Sequence, residues 1–228
     1  MAEKNRVLVT GGTGLIGSAL INCFAAAGWE VIAQGRQKKA IPNCTYIEKD
    51  LSEAESGTSL LNRIGKVDLL INNAADQSVA PAEKISSAEI ENLFKVNVFA
   101  PAELMIAAKK SGAKLVINIS SIESTSPRPG HEFYGATKSA LESLTRSLAF
   151  SLAPMRINAI RLGLVGDETL TKRWPEGVQS WNEAVPAKRF AAPEEVANFA
   201  LLLTDSRYEF ATGAIFDFDG GKSTSPGW

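Results

Sequence analysis

The chain has 228 residues, 45% hydrophobic and 21% charged, with a formal net charge of -1. That balance is globular rather than disordered, the length is enough for a sizeable core, and so small a net charge gives nucleic acid or an anionic membrane no handle. The single histidine, His131, excludes a metal site built on several imidazoles.

No apolar run approaches the roughly 20 residues needed to span a bilayer. The opening MAEKNRVLVT leads straight into a strand-like stretch, so no secretory signal is expected and the location implied is cytoplasmic. Cys23 and Cys44 lack metal-ligand spacing and read as small, partly buried residues.

In chain order, a β-rich run at 6–10 is followed by an amphipathic stretch at 15–27, then by strand-like runs at 30–34, 45–48 and 67–72. A long helical pattern at 85–110 precedes a strand at 114–120. A helix at 134–153 and a strand at 156–162 come next, and a helix at 193–203 and a strand at 214–217 close the series. Alternation of this kind predicts an α/β fold, a doubly wound parallel sheet of about seven strands with helices on both faces. No linker or repeat divides the chain, so residues 1–228 are expected to form one domain. The least regular stretch, 165–189, holds Trp174, Pro175, Trp181 and Pro186 and is expected to be a substrate loop or lid. Its tryptophans either line a substrate pocket or pack the lid shut.

Between the first strand and the first helix stands TGGTGLIG, from Thr10 to Gly17. Gly11, Gly14 and Gly17 permit a tight turn, and with Thr13, Leu15 and Ile16 they bring backbone N–H groups and a helix N-terminus to a pyrophosphate. A tight strand–helix turn also uses glycine for steric reasons alone. The order strand, loop, helix points to a dinucleotide.

The second strand ends VIAQGRQKK. A carboxylate there would accept hydrogen bonds from a ribose 2′-hydroxyl and repel a 2′-phosphate. Gly35 occupies that place and Arg36 follows, so Arg36 with Lys38 or Lys39 can pair with a 2′-phosphate. The expected cofactor is NADP(H), with NAD(H) as the alternative; a solvated basic turn would look the same.

The fifth strand ends INISS, placing Ser120 and Ser121 where open α/β sheets bind ligands. Tyr134 follows in YGATKSA, and Lys138 lies four residues later on the same helical face. A free tyrosine, with a pKa near ~10, is a poor acid or base at neutral pH. A nearby lysine cation, helped by oxidised nicotinamide, is expected to lower that value. Tyr134 would then pass a proton to or from a substrate oxygen that Ser121 holds. Alone, a Tyr-x-x-x-Lys pair is an ordinary helix surface pair; its place after a dinucleotide loop gives it weight.

TGGTGLIG, NNAA, VNV, INISS, YGATK, RINAIRLG and the closing PEEVANFALLLT…TGAIFDFDGG together resemble the short-chain dehydrogenase/reductase family, in order over nearly the whole chain. The resemblance implies a Rossmann-type fold and a carbonyl reductase or alcohol dehydrogenase acting on a small molecule, assembled as a homotetramer or homodimer. It puts the catalytic Asn, Ser, Tyr and Lys on Asn97, Ser121, Tyr134 and Lys138. It also implies cofactor contacts at Asp50 and Leu51 near the adenine and at Asn73 near the adenosine ribose. Tyr134 and Lys138 would contact the nicotinamide ribose, and the Val165 backbone the carboxamide.

Departures from the family pattern are local. Leu15 stands where the shorter branch usually has glycine, and Ala75 replaces a glycine in NNAA. Asp167 follows Leu162 and Gly163 where a threonine is usual, which removes an expected hydroxyl contact to the carboxamide. Pro101, four residues after Asn97, has no N–H, so the Asn97 carbonyl is expected to be free for a water at a helix break. The break would equally suit a new helix with Pro101 in its first turn. A serine hydrolase would need His131 as base. A non-catalytic NADP(H)-binding sensor or scaffold on the same fold is the rival from another class.

Overall fold

The computed structural model describes residues 4–224. Seven strands form one sheet: β1 (Arg6–Val9), β2 (Glu30–Gly35), β3 (Thr45–Glu48), β4 (Leu69–Asn72), β5 (Leu115–Ser121), β6 (Arg156–Leu162) and β7 (Ile215–Phe218). Their order is β3-β2-β1-β4-β5-β6-β7, and every pairing is parallel. Parallel strands need crossovers, and helices supply them: α1 (Leu15–Ala26), α2 (Ser56–Ile64), α3 (Ser87–Phe94), α4 (Ala100–Ser111), α5 (Glu132–Ser151), α6 (Leu170–Arg173), α7 (Pro175–Ala184) and α8 (Pro193–Leu202).

Period-two alternation along the strands divides the core into two layers. Val7, Val9, Val31, Leu69 and Ile117 turn to one face, with Leu20 and Phe24 of α1 and Val196 and Ala200 of α8. Leu8, Ile32, Leu70 and Val116 turn to the other, with Leu60, Leu104, Met105 and Leu141. The doubly wound parallel sheet expected from the sequence is the observed architecture. Among the described residues no helix is long and apolar enough to cross a membrane.

Two expectations are corrected. The helical pattern at 85–110 does not break at proline. Helix α3 continues through a π-helical turn, Lys95–Phe99, directly into α4, with the Ala100 N–H bonded to the Lys95 carbonyl. The widened turn admits Pro101 at the start of α4 without parting the helix.

The stretch 165–189 is not a loop: it contains α6 and α7.

Helix α2 was not foreseen. Its Gly57 lies so close to α4 that an added Cβ would stand 2.8 Å from the Glu103 Cβ and 2.9 Å from the Ala100 carbonyl oxygen. The packing there depends on a missing side chain, which a hydrophobic pattern does not record.

Candidate active site

Strand order reverses between β1 and β4, and a cleft of about 960 Å³ lies beyond the carboxyl ends of the strands at that switch point. The glycine loop forms its floor. Gly11 has φ +68°, and a Cβ there would lie 2.8 Å from the Ala74 Cα. A Cβ on Gly17 would run into the Gly11 carbonyl oxygen. Gly14 is the N-cap of α1 and offers no side chain, so the first N–H groups of a twelve-residue helix open toward the cleft. Gly11, Thr13, Gly14, Leu15, Ile16 and Gly17 all face the cleft. Such a cradle, with a helix N-terminus and no Cβ in the way, fits a pyrophosphate.

The loop is braced by residues the sequence did not single out. The Gly11 N–H bonds Gln34 Oε1 at 3.1 Å and the Gly12 N–H bonds the Gln34 carbonyl at 2.8 Å, while Gln34 Nε2 donates to the Lys49 carbonyl at 2.6 Å. Asn73 faces the cleft, but its amide is spent on the Thr10 and Gly11 carbonyls, 2.9 and 3.2 Å away.

Gly35 is where it is because of Tyr46. The Tyr46 hydroxyl, donating to the Gln37 carbonyl at 2.5 Å, occupies the space that a Cβ on Gly35 would need. A side chain there, a carboxylate included, would require the Tyr46 ring to shift. Arg36 lines the cleft beside it, and Lys38 and Lys39 do not. Asp50 and Leu51 form the adjoining wall. The Ser52 N–H and hydroxyl each hold Asp50 Oδ1 at 2.8 Å, and with Arg36 and Lys49 nearby its carboxyl sits below the usual carboxylate range.

At the far end, Ser121, Tyr134 and Lys138 share the cleft wall. Helix spacing puts the phenol and the ammonium on one face, with Lys138 Nζ 5.6 Å from the Tyr134 ring centre. Lys138 is fully enclosed and donates to the Ile119 carbonyl at 2.9 Å. Burial pulls its pKa down to about 8, opposed by the charge of Glu142.

Tyr134 departs from expectation. Burial, then the charge of Glu123, push its phenol up to about 12, and hydrogen bonding with the side chains of Ser121 and Gln77 recovers only part of the shift.

Asn97 is fully buried and does not face the cleft. Its Oδ1 accepts from the Asp76 N–H at 2.8 Å, and its Nδ2 donates to the Asp76 carbonyl at 2.8 Å and to Thr137 Oγ1 at 3.0 Å. The side chain thus pins the segment after β4 to α5.

Val165 forms an isolated parallel bridge with Ala191. That bridge uses the Leu164 carbonyl and the Gly166 N–H and leaves the N–H and C=O of Val165 outside the pairing, at the cleft wall. Asp167 does not face the cleft; its carboxylate holds the Thr169 N–H and hydroxyl, at 2.9 and 2.6 Å.

Both tryptophans line the cleft, Trp174 from the junction of α6 and α7 and Trp181 from α7. Trp181 lies on Gly163, where a Cβ would be 2.6 Å from its ring, and its Nε1 donates to the Arg189 carbonyl at 3.1 Å. Trp174 folds over Gly177 and carries the Arg128 guanidinium 5.4 Å from its ring centre. Arg128 also donates to Glu123 Oε1 at 2.6 Å. Glu123 and Gln77, unmarked by any motif, stand on the cleft wall beside Tyr134.

A family model described as enoyl-(acyl carrier protein) reductase matches residues 14–223. The chain belongs to the short-chain dehydrogenase/reductase family. It is 31% identical over 234 residues to L-xylulose reductase of Mus musculus, covering 95% of each. A solved short-chain dehydrogenase/reductase family protein superposes with a TM-score of 0.86 at 31% identity, over 97% of this chain and 98% of that one. A 3-oxoacyl-(acyl-carrier-protein) reductase of Agrobacterium tumefaciens with NADP bound gives a TM-score of 0.87 at 27% identity, over 95% and 93%. Members of the family are oxidoreductases acting on CH–OH and C=O groups.

Proposed function

We propose that this chain is a single-domain NADPH-dependent carbonyl reductase, working in reverse as an alcohol dehydrogenase, with Tyr134 as its acid and base. One observation carries the reading: Tyr134, backed by the buried Lys138, shares one cleft with a glycine cradle shaped for a pyrophosphate.

The glycine loop and the N-terminus of α1 would hold the pyrophosphate, Asp50 and Leu51 the adenine, and the Val165 backbone the carboxamide. Arg36 would hold the 2′-phosphate, while Tyr46 keeps a carboxylate out of position 35. NADPH, when bound, supplies the hydride to the carbonyl carbon. Ser121 holds the carbonyl oxygen as charge gathers on it. Tyr134, a protonated phenol at neutral pH, gives that oxygen its proton. The Lys138 ammonium, fixed by the Ile119 carbonyl, stabilises the phenolate left behind.

The test is NADPH consumption across a broad carbonyl panel. Turnover with one carbonyl class, abolished in Tyr134→Phe while NADPH still binds, is the expected result. NADPH binding without turnover on any carbonyl would instead make the chain a cofactor sensor.

A further inference from the structure

Glu142 lies one helical turn beyond Lys138 on α5, so Tyr134, Lys138 and Glu142 follow one another at i, i+4 and i+8 along one face. Only 4% of Glu142 is exposed, and its carboxylate is fully engaged. Oε1 accepts from Ser120 Oγ at 2.7 Å on β5, from Ser124 Oγ at 2.7 Å in the turn that follows, and from Arg161 Nε at 2.9 Å on β6. Oε2 accepts from Arg161 Nη2 at 2.6 Å. Burial alone would raise the Glu142 carboxyl; the bonds from Arg161, Ser124 and Ser120 outweigh it and keep the group ionised.

We propose that Glu142 is a positioning residue for the site: its buried carboxylate registers the Ser121 strand end against the Tyr134–Lys138 helix and is the counter-charge of the Lys138 ammonium. This rests on Lys138 being the cation of the proposed reaction.

The geometry is specific. Ser120 precedes Ser121, and Ile119, whose carbonyl holds Lys138, precedes Ser120. One carboxylate therefore ties together the strand that carries the substrate-holding serine, the turn after it and the helix that carries the acid. A buried ion pair costs desolvation and is weak evidence of stability, so a positional role accounts better for its place beside the site.

The groups facing Lys138 are Tyr134 and Glu142 on its own helix and the Ile119 carbonyl and Ser120 on β5. Arg161 on β6, backed by Asp217 on β7 at 2.8 Å, and Glu123 beyond Tyr134 complete the charged surroundings. Glu142 thus stands behind Lys138, with Arg161 paired to its far side, and removing one or the other is expected to shift the proton affinity of Lys138 in opposite directions.

The experiment is a pH titration of the Lys138 ¹³Cε resonance, assigned with Lys138→Met, in the parent, Glu142→Gln and Arg161→Met proteins. It reads the lysine whether or not a carbonyl is turned over, so its failure is distinct from failure of the reductase reading. Glu142→Gln should lower the Lys138 midpoint by about one pH unit, because a neutral carboxamide and an unpaired guanidinium both disfavour the ammonium. Arg161→Met should move it upward. In turnover, the alkaline limb of kcat/KM for reduction should follow the same two directions, with the KM for NADPH within about threefold of the parent. Midpoints that stay fixed, or that move the same way in both variants, overturn the proposal. Should Glu142→Gln fail to fold, Arg161→Met and the carboxylate-keeping Glu142→Asp decide it. A midpoint unmoved in Arg161→Met, or moved by a unit in Glu142→Asp, overturns it equally.

Discussion

Glu123 Oε2 and His131 Nδ1 stand 2.9 Å apart at the rim of the cleft, at an angle outside hydrogen-bond geometry, and the His131 ring meets Tyr134 edge-on with centres 6.0 Å apart. Arg128 closes the group by bonding the other oxygen of Glu123. The acid of the proposed reaction therefore sits beside a small charge cluster that no family motif announces. Glu123 raises the proton affinity of the phenol and Arg128 lowers it, both after burial, which raises it most.

That arrangement fixes a sign. Alcohol oxidation requires the phenolate, so its rate rises with pH as Tyr134 loses its proton. In Glu123→Gln the negative charge is gone, and the rising limb of kcat/KM for oxidation should move to lower pH by about one unit. Arg128→Met should move it to higher pH. Profiles recorded with NADP⁺ and one alcohol check both, and a Glu123→Gln profile lying on the parent's would show that the cluster does not reach the phenol.

The inner strands were legible in the sequence because they bury both faces, while β3 and β7 lie at the half-exposed edges; β3 and β6 match the expected runs at both ends, and the others lie within two residues. The glycine loop and the Ser121, Tyr134, Lys138 set were legible because each is a local spacing. Helix α7 carried its own signals, Pro175 at its first position and Glu176 in its first turn, beneath a composition that suggested a loop. Gln34, Gln77, Glu123 and Glu142 were not legible. Each acts on a partner brought near by the crossovers or by the turn after β5, and nothing in their own segments distinguishes them from solvated residues.

Cofactor choice can be probed at two positions. Arg36→Met should reduce kcat/KM with NADPH by roughly tenfold to a hundredfold, the worth of one or two charge-assisted bonds to phosphate, and leave NADH nearly unchanged. Gly35→Asp alone should not create NADH use, since the new Cβ would meet the Tyr46 hydroxyl. Gly35→Asp with Tyr46→Leu should, because the space is then open. Parallel NADH and NADPH kinetics on the three variants test the reading, and efficient NADH use by the single Gly35→Asp variant would contradict it.

Trp174 and Trp181 should separate in their effects. Trp181 is wedged on Gly163 and bonded to Arg189, so Trp181→Ala should loosen α7 and cost about 1–3 kcal/mol of stability. Trp174 is 41% exposed and loses its packing on Gly177 together with its contact with Arg128, the latter about 0.5–1 kcal/mol. Trp174→Ala should therefore melt within a few degrees of the parent and raise the KM of the carbonyl substrate more than it lowers kcat. Thermal melts and steady-state kinetics on the pair check the division.

The buried lysine should burden the fold it serves. Lys138 holds its proton less tightly in the folded protein, near 8, than in the unfolded chain, near 10.5. Between those values the unfolded chain binds more protons, so this group makes stability rise with pH across that window. Below about 8 both states are protonated and the whole penalty of enclosing the ammonium is present. Lys138→Met removes that penalty and gives up the bond to the Ile119 carbonyl, which is worth less. The variant should therefore be more stable than the parent by about 2 kcal/mol at pH 7, with the gap closing as pH rises from 8 to 10. It should also be inactive in carbonyl reduction. Urea unfolding of both proteins at pH 7, 8.5 and 10 measures the gap, and a difference that stayed constant with pH would mean that Lys138 holds its proton as tightly in the folded protein as in the unfolded chain.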